Sequence, residues 1–137
     1  SVVESSLRMA DVLKLNTDEL GVMSRFFGLQ GDAPSKLRRL AARFDLRAAA
    51  LTRGPAGCVL IAGGRTSVHP GHPARVVDTV GAGDAFAAVL TLGLLEGHDL
   101  DSIADRANRV AAFVCGRVGA TPAVPPDIAG GSPGRAV

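Results

Sequence analysis

An α/β fold, with helices packed on both faces of a single sheet, is predicted by the order of apolar segments along this chain. Short apolar runs alternate with longer segments whose apolar residues recur every three or four positions, and such alternation is typical of layered α/β domains. The chain has 17 glycines among 137 residues and is also rich in alanine, which suits close packing of helices on a sheet. This length supports one domain that buries about two thirds of the surface of the unfolded chain.

Five runs are predicted as strands. They are Ala10 to Leu15, Arg47 to Thr52, Cys58 to Ala62, Arg65 to His69 and Ala74 to Val77. Only short glycine-containing turns separate the second, third and fourth runs, which favours hairpins in that part of the chain.

Five helices are predicted from apolar periodicity and capping residues. They span Val2 to Met9, Asn16 to Phe27, Ser35 to Phe44, Gly83 or Asp84 to Glu96, and Asp99 or Asp101 to Cys115. Gly97 fits the left-handed position that ends the fourth helix. A glycine-rich stretch closes the chain, so residues 1–126 are assigned to the folded part and residues 127–137 to a flexible tail.

The overall charge and the cysteines exclude several classes of protein. A net charge of +2 is too small to indicate a nucleic-acid partner or an anionic membrane, and no apolar run approaches the length of a membrane span. Cys58 and Cys115 lie in apolar runs without metal-ligand spacing, which predicts buried thiols in a reducing cytoplasm. The first residues include Glu4 and Arg8 and lack the apolar core of a signal peptide. The three histidines also lack ligand spacing, so loop and cap positions explain them better than a metal does.

The most distinctive motif is D-T-V-G-A-G-D-A-F, residues 78–86, between the fifth strand run and the fourth helix. Gly81-Ala82-Gly83 at the mouth of a helix lets the backbone approach an anion, and the first-turn amides and helix dipole then point at it. Asp84 adds a proton acceptor at the same place. An anion hole beside a carboxylate is what transfer of a phosphoryl group to a hydroxyl requires. The dinucleotide fingerprint would need glycine where Phe86 stands, and no P-loop sequence occurs.

Three further motifs have both structural and functional interpretations. Asn16 and Glu19 form a capping-box pattern, and their oxygens also suit a hydrated Mg²⁺. The sequence T-x-G-x-x-G, formed by Thr52, Gly54 and Gly57, is either a turn between strands or a phosphate-binding loop, and Arg53 within it either reaches a phosphate or is solvated. Asn108 lies in the middle of a helix, where asparagine is not favoured, and a surface position and a functional role are equally compatible with that place.

Four motifs follow one another along the chain: N-x-x-E, T-x-G-x-x-G, D-T-V-G-A-G-D-A-F and the G-A-T-P turn at residues 119–122. In this order they resemble the pfkB family of carbohydrate kinases, from about Asp11 to Pro125. The resemblance implies a ribokinase-like three-layer α/β/α fold with a mainly parallel sheet. It implies ATP-dependent phosphorylation of a sugar hydroxyl with Asp84 as catalytic base, of the fructokinase, ribokinase or 2-keto-3-deoxygluconate kinase type. Adenosine-type acceptors stay open.

The resemblance also implies the positions of cofactors. Thr52, Gly54 and Gly57 would contact the nucleotide phosphates and ribose, and Asn108 would border the adenine. Mg²⁺ would lie near Asn16 and Glu19. A monovalent cation, usually K⁺, would be held by Asp78 and by carbonyls, namely those of Val80, Val114, Arg117 and Gly119.

Only the C-terminal, nucleotide-binding half of such a kinase corresponds to this chain. The absent N-terminal half would supply most sugar contacts, a lid and the usual dimer element, so a homo-oligomer is left open. Two other functions therefore stand beside the kinase: a catalytically incompetent nucleotide-binding module, and a structural α/β domain whose glycines serve packing alone.

Overall fold

The computed structural model describes residues 1–117 and 124–129. Its elements in chain order are α1 (Val2–Arg8), β1 (Val12–Asn16), α2 (Thr17–Phe27), α3 (Ala33–Phe44), β2 (Ala48–Thr52), β3 (Cys58–Ala62), β4 (Arg65–His69), α4 (Ala82–Leu95), α5 (Leu100–Cys115) and α6 (Pro126–Ala129). A short 3₁₀ turn, Gly54–Ala56, joins β2 to β3. The α/β class is confirmed.

The sheet has the order β1-β2-β3-β4 and is mixed. Strands β1 and β2 are parallel, whereas β2 pairs with β3 and β3 with β4 in antiparallel fashion. The expectation of a mainly parallel sheet is therefore wrong for the described strands. The reason is connection length: a parallel neighbour needs a crossover of about a dozen residues or more, and the links after β2 and β3 are only tight turns.

No strand forms at Ala74–Val77 in the described structure, so that prediction is also wrong. The backbone amides of Val77 and Asp78 donate to the carbonyl of Cys115, at 2.8 and 3.1 Å. This segment is anchored to the C-terminal end of α5 and adds no strand to the sheet.

Helices pack through apolar side chains on both faces of the sheet, so the fold has three layers. On one face Leu51 and Val59 belong to a core completed by residues of α2 and α3, including the fully buried Leu37 and Leu40. Alternation along the strands sends Ala50 and Leu60 to the other face, where they pack with Phe86 and Leu90 of α4 and Ile103 of α5. The two outer helices on that face pack closely, since a Cβ on Gly93 would lie 2.6 Å from Cγ1 of Ile103.

Local capping explains where the helices begin. Asn16 and Glu19 form a reciprocal capping box at the start of α2, and Asp99 caps α5. Helix α3 begins earlier than predicted because Asp32, rather than Ser35, is its N-cap and accepts the Ser35 amide. Gly97 adopts φ 72° after α4, as expected.

Helix α6 covers Asp127 to Ala129, at the start of the segment predicted to be a tail, and residues 130–137 lie outside the described residues. Among the helices that the structure describes, none combines the length and the apolar character needed to cross a membrane.

Candidate active site

The ends of the two parallel strands bring separate motifs together. Asn16 closes β1 and Thr52 closes β2, and the sheet register places these residues directly opposite each other. The predicted Mg²⁺ pair and the T-x-G-x-x-G loop therefore leave the same edge of the sheet. This is the edge at which α/β proteins usually bind ligands.

Helix α4 begins with three amides that find no acceptor among the described residues, those of Gly81, Gly83 and Asp84. Gly81 makes this possible because its φ of 84° and ψ of −9° lie in the left-handed region, which strains residues that carry a Cβ. The Asp84 side chain is exposed in this first turn and has no hydrogen-bond or ion-pair partner in the described part of the chain. The arrangement offers donors to an anion beside an uncommitted carboxylate.

Lys14 lies against this helix terminus and was not predicted from the sequence motifs. A Cβ built on Gly83 would be 3.2 Å from its Nζ atom. The side chain is half-buried, and the ammonium has no ion-pair partner among residues 1–117 and 124–129. A usable signal was present: a charged residue interrupts an apolar strand two positions before Asn16, and residues two apart share one face of a strand.

A cavity of about 610 Å³ connects three of the predicted motifs. Its lining includes the predicted residues Thr52, Gly54, Gly57, Ala82, Gly83 and Asn108. Outside the lining lie Asn16, Glu19, Asp78, Val80, Gly81, Asp84, Val114 and Arg117. The cavity therefore joins the glycine-rich helix terminus to the T-x-G-x-x-G loop and to α5.

The T-x-G-x-x-G loop is fixed by backbone packing. A Cβ on Gly57 would lie 1.9 Å from the carbonyl oxygen of His69, so no side chain fits there. Thr52 donates its hydroxyl to the Leu15 carbonyl at 3.4 Å. Arg53 neither reaches into the cavity lining nor stands in solvent, because its guanidinium donates to the carbonyls of Cys58 and His69 at 3.4 and 3.3 Å.

Asn108 is buried, so the surface interpretation of this residue is wrong. Its amide nitrogen donates to the Ala104 carbonyl at 2.7 Å and to Sγ of Cys58 at 3.0 Å. Burial raises the pKa of the Cys58 thiol, and the hydrogen bond from Asn108 opposes that shift only in part. Both amide hydrogens of Asn108 are therefore used inside the protein, and its Oδ1 atom is left as the group that a ligand can meet.

The predicted cation site lies where Asp78 meets the end of α5. The Asp78 amide donates to the Cys115 carbonyl, and the Asp78 carboxylate accepts the Val80 amide at 2.9 Å. Burial raises the pKa of the Cys115 thiol, and the charge of Asp78 adds to the effect. A carboxylate beside carbonyls at a helix C-terminus gives a local field that suits a cation. Of the predicted carbonyl ligands, Val114 lies in the last turn of α5 and Arg117 directly follows its C-cap, whereas Gly119 lies outside the described residues.

The predicted Mg²⁺ pair is exposed and already engaged in capping. The Glu19 carboxylate accepts the Asn16 amide, and Oδ1 of Asn16 accepts the Glu19 amide, both at 2.8 Å. Each side-chain oxygen can accept more than one bond, and the second Glu19 oxygen is not used by the cap. Hard oxygen donors in small number fit a Mg²⁺ ion that keeps most of its waters.

A cluster of two histidines and one aspartate lies beside the cavity and was not predicted, because His69 and Asp105 are far apart in sequence. Nε2 of His69 and Nε2 of His72 lie 3.2 and 2.7 Å from Oδ1 of Asp105, and Arg109 contacts the other carboxylate oxygen. Burial would raise the pKa of Asp105, but the hydrogen bonds from His72 and Arg109, the Arg109 charge and the His69 hydrogen bond hold it below its ordinary value.

The three ligand atoms of this cluster are close enough to hold a metal ion. The hydrogen bonds favour another interpretation. The Gly71 amide donates to Nδ1 of His69 at 3.0 Å, so the ring proton of a neutral His69 is on Nε2, the atom that a metal would need. The cluster is thus a hydrogen-bonded unit that ties the loop after β4 to α5.

Comparison with known proteins gives a consistent family. The model of the pfkB family of carbohydrate kinases matches residues 1–127. A fructokinase from Klebsiella pneumoniae is 37% identical over 120 residues, which is 87% of this chain and 38% of that protein. The bifunctional protein HldE from Aeromonas hydrophila is 31% identical over 123 residues, covering 89% of this chain and 26% of that protein.

A solved structure of adenosine kinase from Sinorhizobium meliloti superposes with a TM-score of 0.75 at 28% identity, covering 95% of this chain and 38% of that one. The chain therefore spans well under half the length of the relatives it matches. Since the family model extends over nearly all described residues and the fold agrees with a solved kinase, the chain belongs to the pfkB family of carbohydrate kinases.

Proposed function

We propose that this chain forms the nucleotide-binding and phosphoryl-transfer part of an ATP-dependent kinase that phosphorylates a sugar hydroxyl. The observation that carries the proposal is the start of α4, where three unpaired amides, the Lys14 ammonium and the uncommitted Asp84 carboxylate lie together. Donors fixed in place before the reaction stabilise developing negative charge without rearranging.

The anion hole of Gly81, Ala82 and Gly83 would receive the transferred phosphoryl group. The backbone amides and the N-terminal dipole of α4 favour negative charge there. Lys14 adds a full positive charge at the same point, on a rigid strand. Because phosphoryl transfer proceeds through a loose transition state with charge spread over the phosphoryl oxygens, fixed positive charge and positioning are the main contributions of this chain.

Asp84 would accept the proton of the attacking hydroxyl or orient that hydroxyl. Its exposure and lack of partners leave the carboxylate available to an incoming alcohol. General-base assistance of this kind typically contributes about 10²–10⁴-fold to the rate.

Two cations belong to the proposal. When bound near Asn16 and Glu19, Mg²⁺ would neutralise the phosphate oxygens of ATP. Asp78 and the C-terminal carbonyls of α5 would hold K⁺ and keep the loop before α4 in shape. This chain contributes the carboxylates, amide and carbonyls of both sites.

The relatives support a small polyol as the acceptor. Fructose is the first choice because the fructokinase relative has the higher identity of the two curated relatives described, and ribose, 2-keto-3-deoxygluconate and a nucleoside are the further candidates.

A catalytically incompetent nucleotide-binding module is the second proposed function. It is favoured by the span of the match, 38% of the fructokinase.

The test is transfer of phosphate from ATP to fructose, ribose, 2-keto-3-deoxygluconate or adenosine, compared between the wild-type chain and Asp84→Asn. We expect Asp84→Asn to lower the transfer rate by about 10²-fold or more while ATP affinity stays within a few-fold. Equal transfer rates in the two proteins would refute the role of Asp84. Binding of ATP without transfer to any acceptor would favour the binding module.

A further inference from the structure

We propose that His72 selects the base of the bound nucleotide and makes the cavity prefer a 6-aminopurine over a 6-oxopurine. The inference rests on the proposed function, since it concerns the nucleotide that the same cavity would bind. His72 is one of the residues that line the cavity, and Asp105 holds its ring through a contact of 2.7 Å between Oδ1 and Nε2.

His72 lies in the loop after β4, and its contact with Asp105 of α5 holds it where a base would lie. The loop before α4 is anchored to Cys115, at the end of α5, and His72 is anchored to Asp105, ten residues earlier on the same helix. Ten helical residues span about 15 Å, so the two anchors are separated by roughly the length of an extended nucleotide. With phosphates at the start of α4, the base would reach the wall that contains His72.

That wall suits a flat apolar ring. Pro73, Val76, Ala111 and Ala112 line the cavity between the loop after β4 and the side of α5. Apolar walls with a few fixed polar groups are typical of sites that bind a small molecule. The polar groups on this wall therefore decide which base fits.

The hydrogen bonds define the free nitrogen of His72 as an acceptor. Asp105 is ionised at neutral pH and can only accept, so the His72 Nε2 atom at 2.7 Å must carry the ring proton. A neutral imidazole has one N–H, which leaves a lone pair on Nδ1. No donor among the described residues contacts that Nδ1 atom.

Asn108 also presents a hydrogen-bond acceptor. Both hydrogens of its amide are donated to Ala104 and Cys58, so its free group is Oδ1, another acceptor. Two acceptors on one wall match the exocyclic amino group of adenine. A 6-oxo group would place a third lone pair against them, and a buried polar group left without a partner weakens binding.

The experiment measures the dissociation constants of ADP and IDP, which differ at the 6-position, by calorimetry on the whole chain. For the wild type we expect ADP to bind about tenfold more tightly than IDP. His72→Phe keeps a flat ring but has no acceptor, so the preference should fall to within about twofold while ADP still binds. His98→Phe is the matched control, because His98 does not line the cavity, and it should keep the tenfold preference. If His72→Phe does not fold, His72→Leu replaces it.

Three results would overturn the inference. Equal affinities of the wild type for ADP and IDP, or a tenfold preference that survives in the folded His72 variant, would overturn it while leaving the proposed function in place. Failure of the wild type to bind either nucleotide would overturn the proposed function together with the inference.

Discussion

Lys14 and Asp84 are two charged side chains for which the fold provides no partner among the described residues. Both lie beside the start of α4, where a phosphorylated ligand would meet them. Lys14 would pair with phosphate and Asp84 with a hydroxyl proton.

Lys14 gives a direct prediction at the residue scale. Lys14→Met keeps the length of the side chain and removes the charge, so ATP affinity should fall by about tenfold, as expected for loss of one partly buried charge-assisted contact. Calorimetric titration with ATP measures this. Lys36→Met is the matched control, since Lys36 on α3 is the other lysine of the chain, and its affinity should equal that of the wild type. A wild-type affinity in Lys14→Met would show that the ammonium does not contact the nucleotide.

At the scale of elements, helices were the most predictable part of the chain. The capping pair Asn16 and Glu19 and the left-handed Gly97 are local features, and local sequence identifies them. The segment Ala74–Val77 was misassigned because its two adjacent valines indicate an extended backbone but not its hydrogen-bond partner. That partner, the Cys115 carbonyl, is determined by tertiary packing.

The turn between β2 and β3 offers a matched pair of glycines. Gly57 and Gly54 both have positive φ, 89° and 56°, but only at Gly57 would a Cβ collide with backbone, 1.9 Å from the His69 carbonyl. Gly57→Ala should therefore destabilise the fold by about 1–3 kcal/mol more than Gly54→Ala does. Urea unfolding of both variants measures the difference. Equal losses of unfolding free energy would mean that the loops separate easily at this point.

At the scale of the whole molecule, the sequence identified the glycine-rich motifs but not how they are connected. Thr52, Gly83 and Asn108 were predicted separately, and the cavity that joins them arises from the sheet register and from the packing of α5. Asp105 and His72 had no detectable pattern because their contact spans two elements. Lys14 could have been found, since its strand alternation places it on the face of Asn16.

The central claim is that the start of α4 binds the phosphates of a nucleotide, and one substitution tests it most directly. Gly83 has an ordinary helical φ and the nearest atom to an added Cβ is the flexible end of Lys14, so Gly83→Val should fold while filling the anion hole. Gly21→Val is the matched control, a helical glycine in α2 whose nearest neighbour is 3.8 Å away. We predict that ATP affinity measured by calorimetry falls by at least about tenfold in Gly83→Val and stays at the wild-type value in Gly21→Val. Unchanged ATP affinity in a folded Gly83→Val protein would contradict the account.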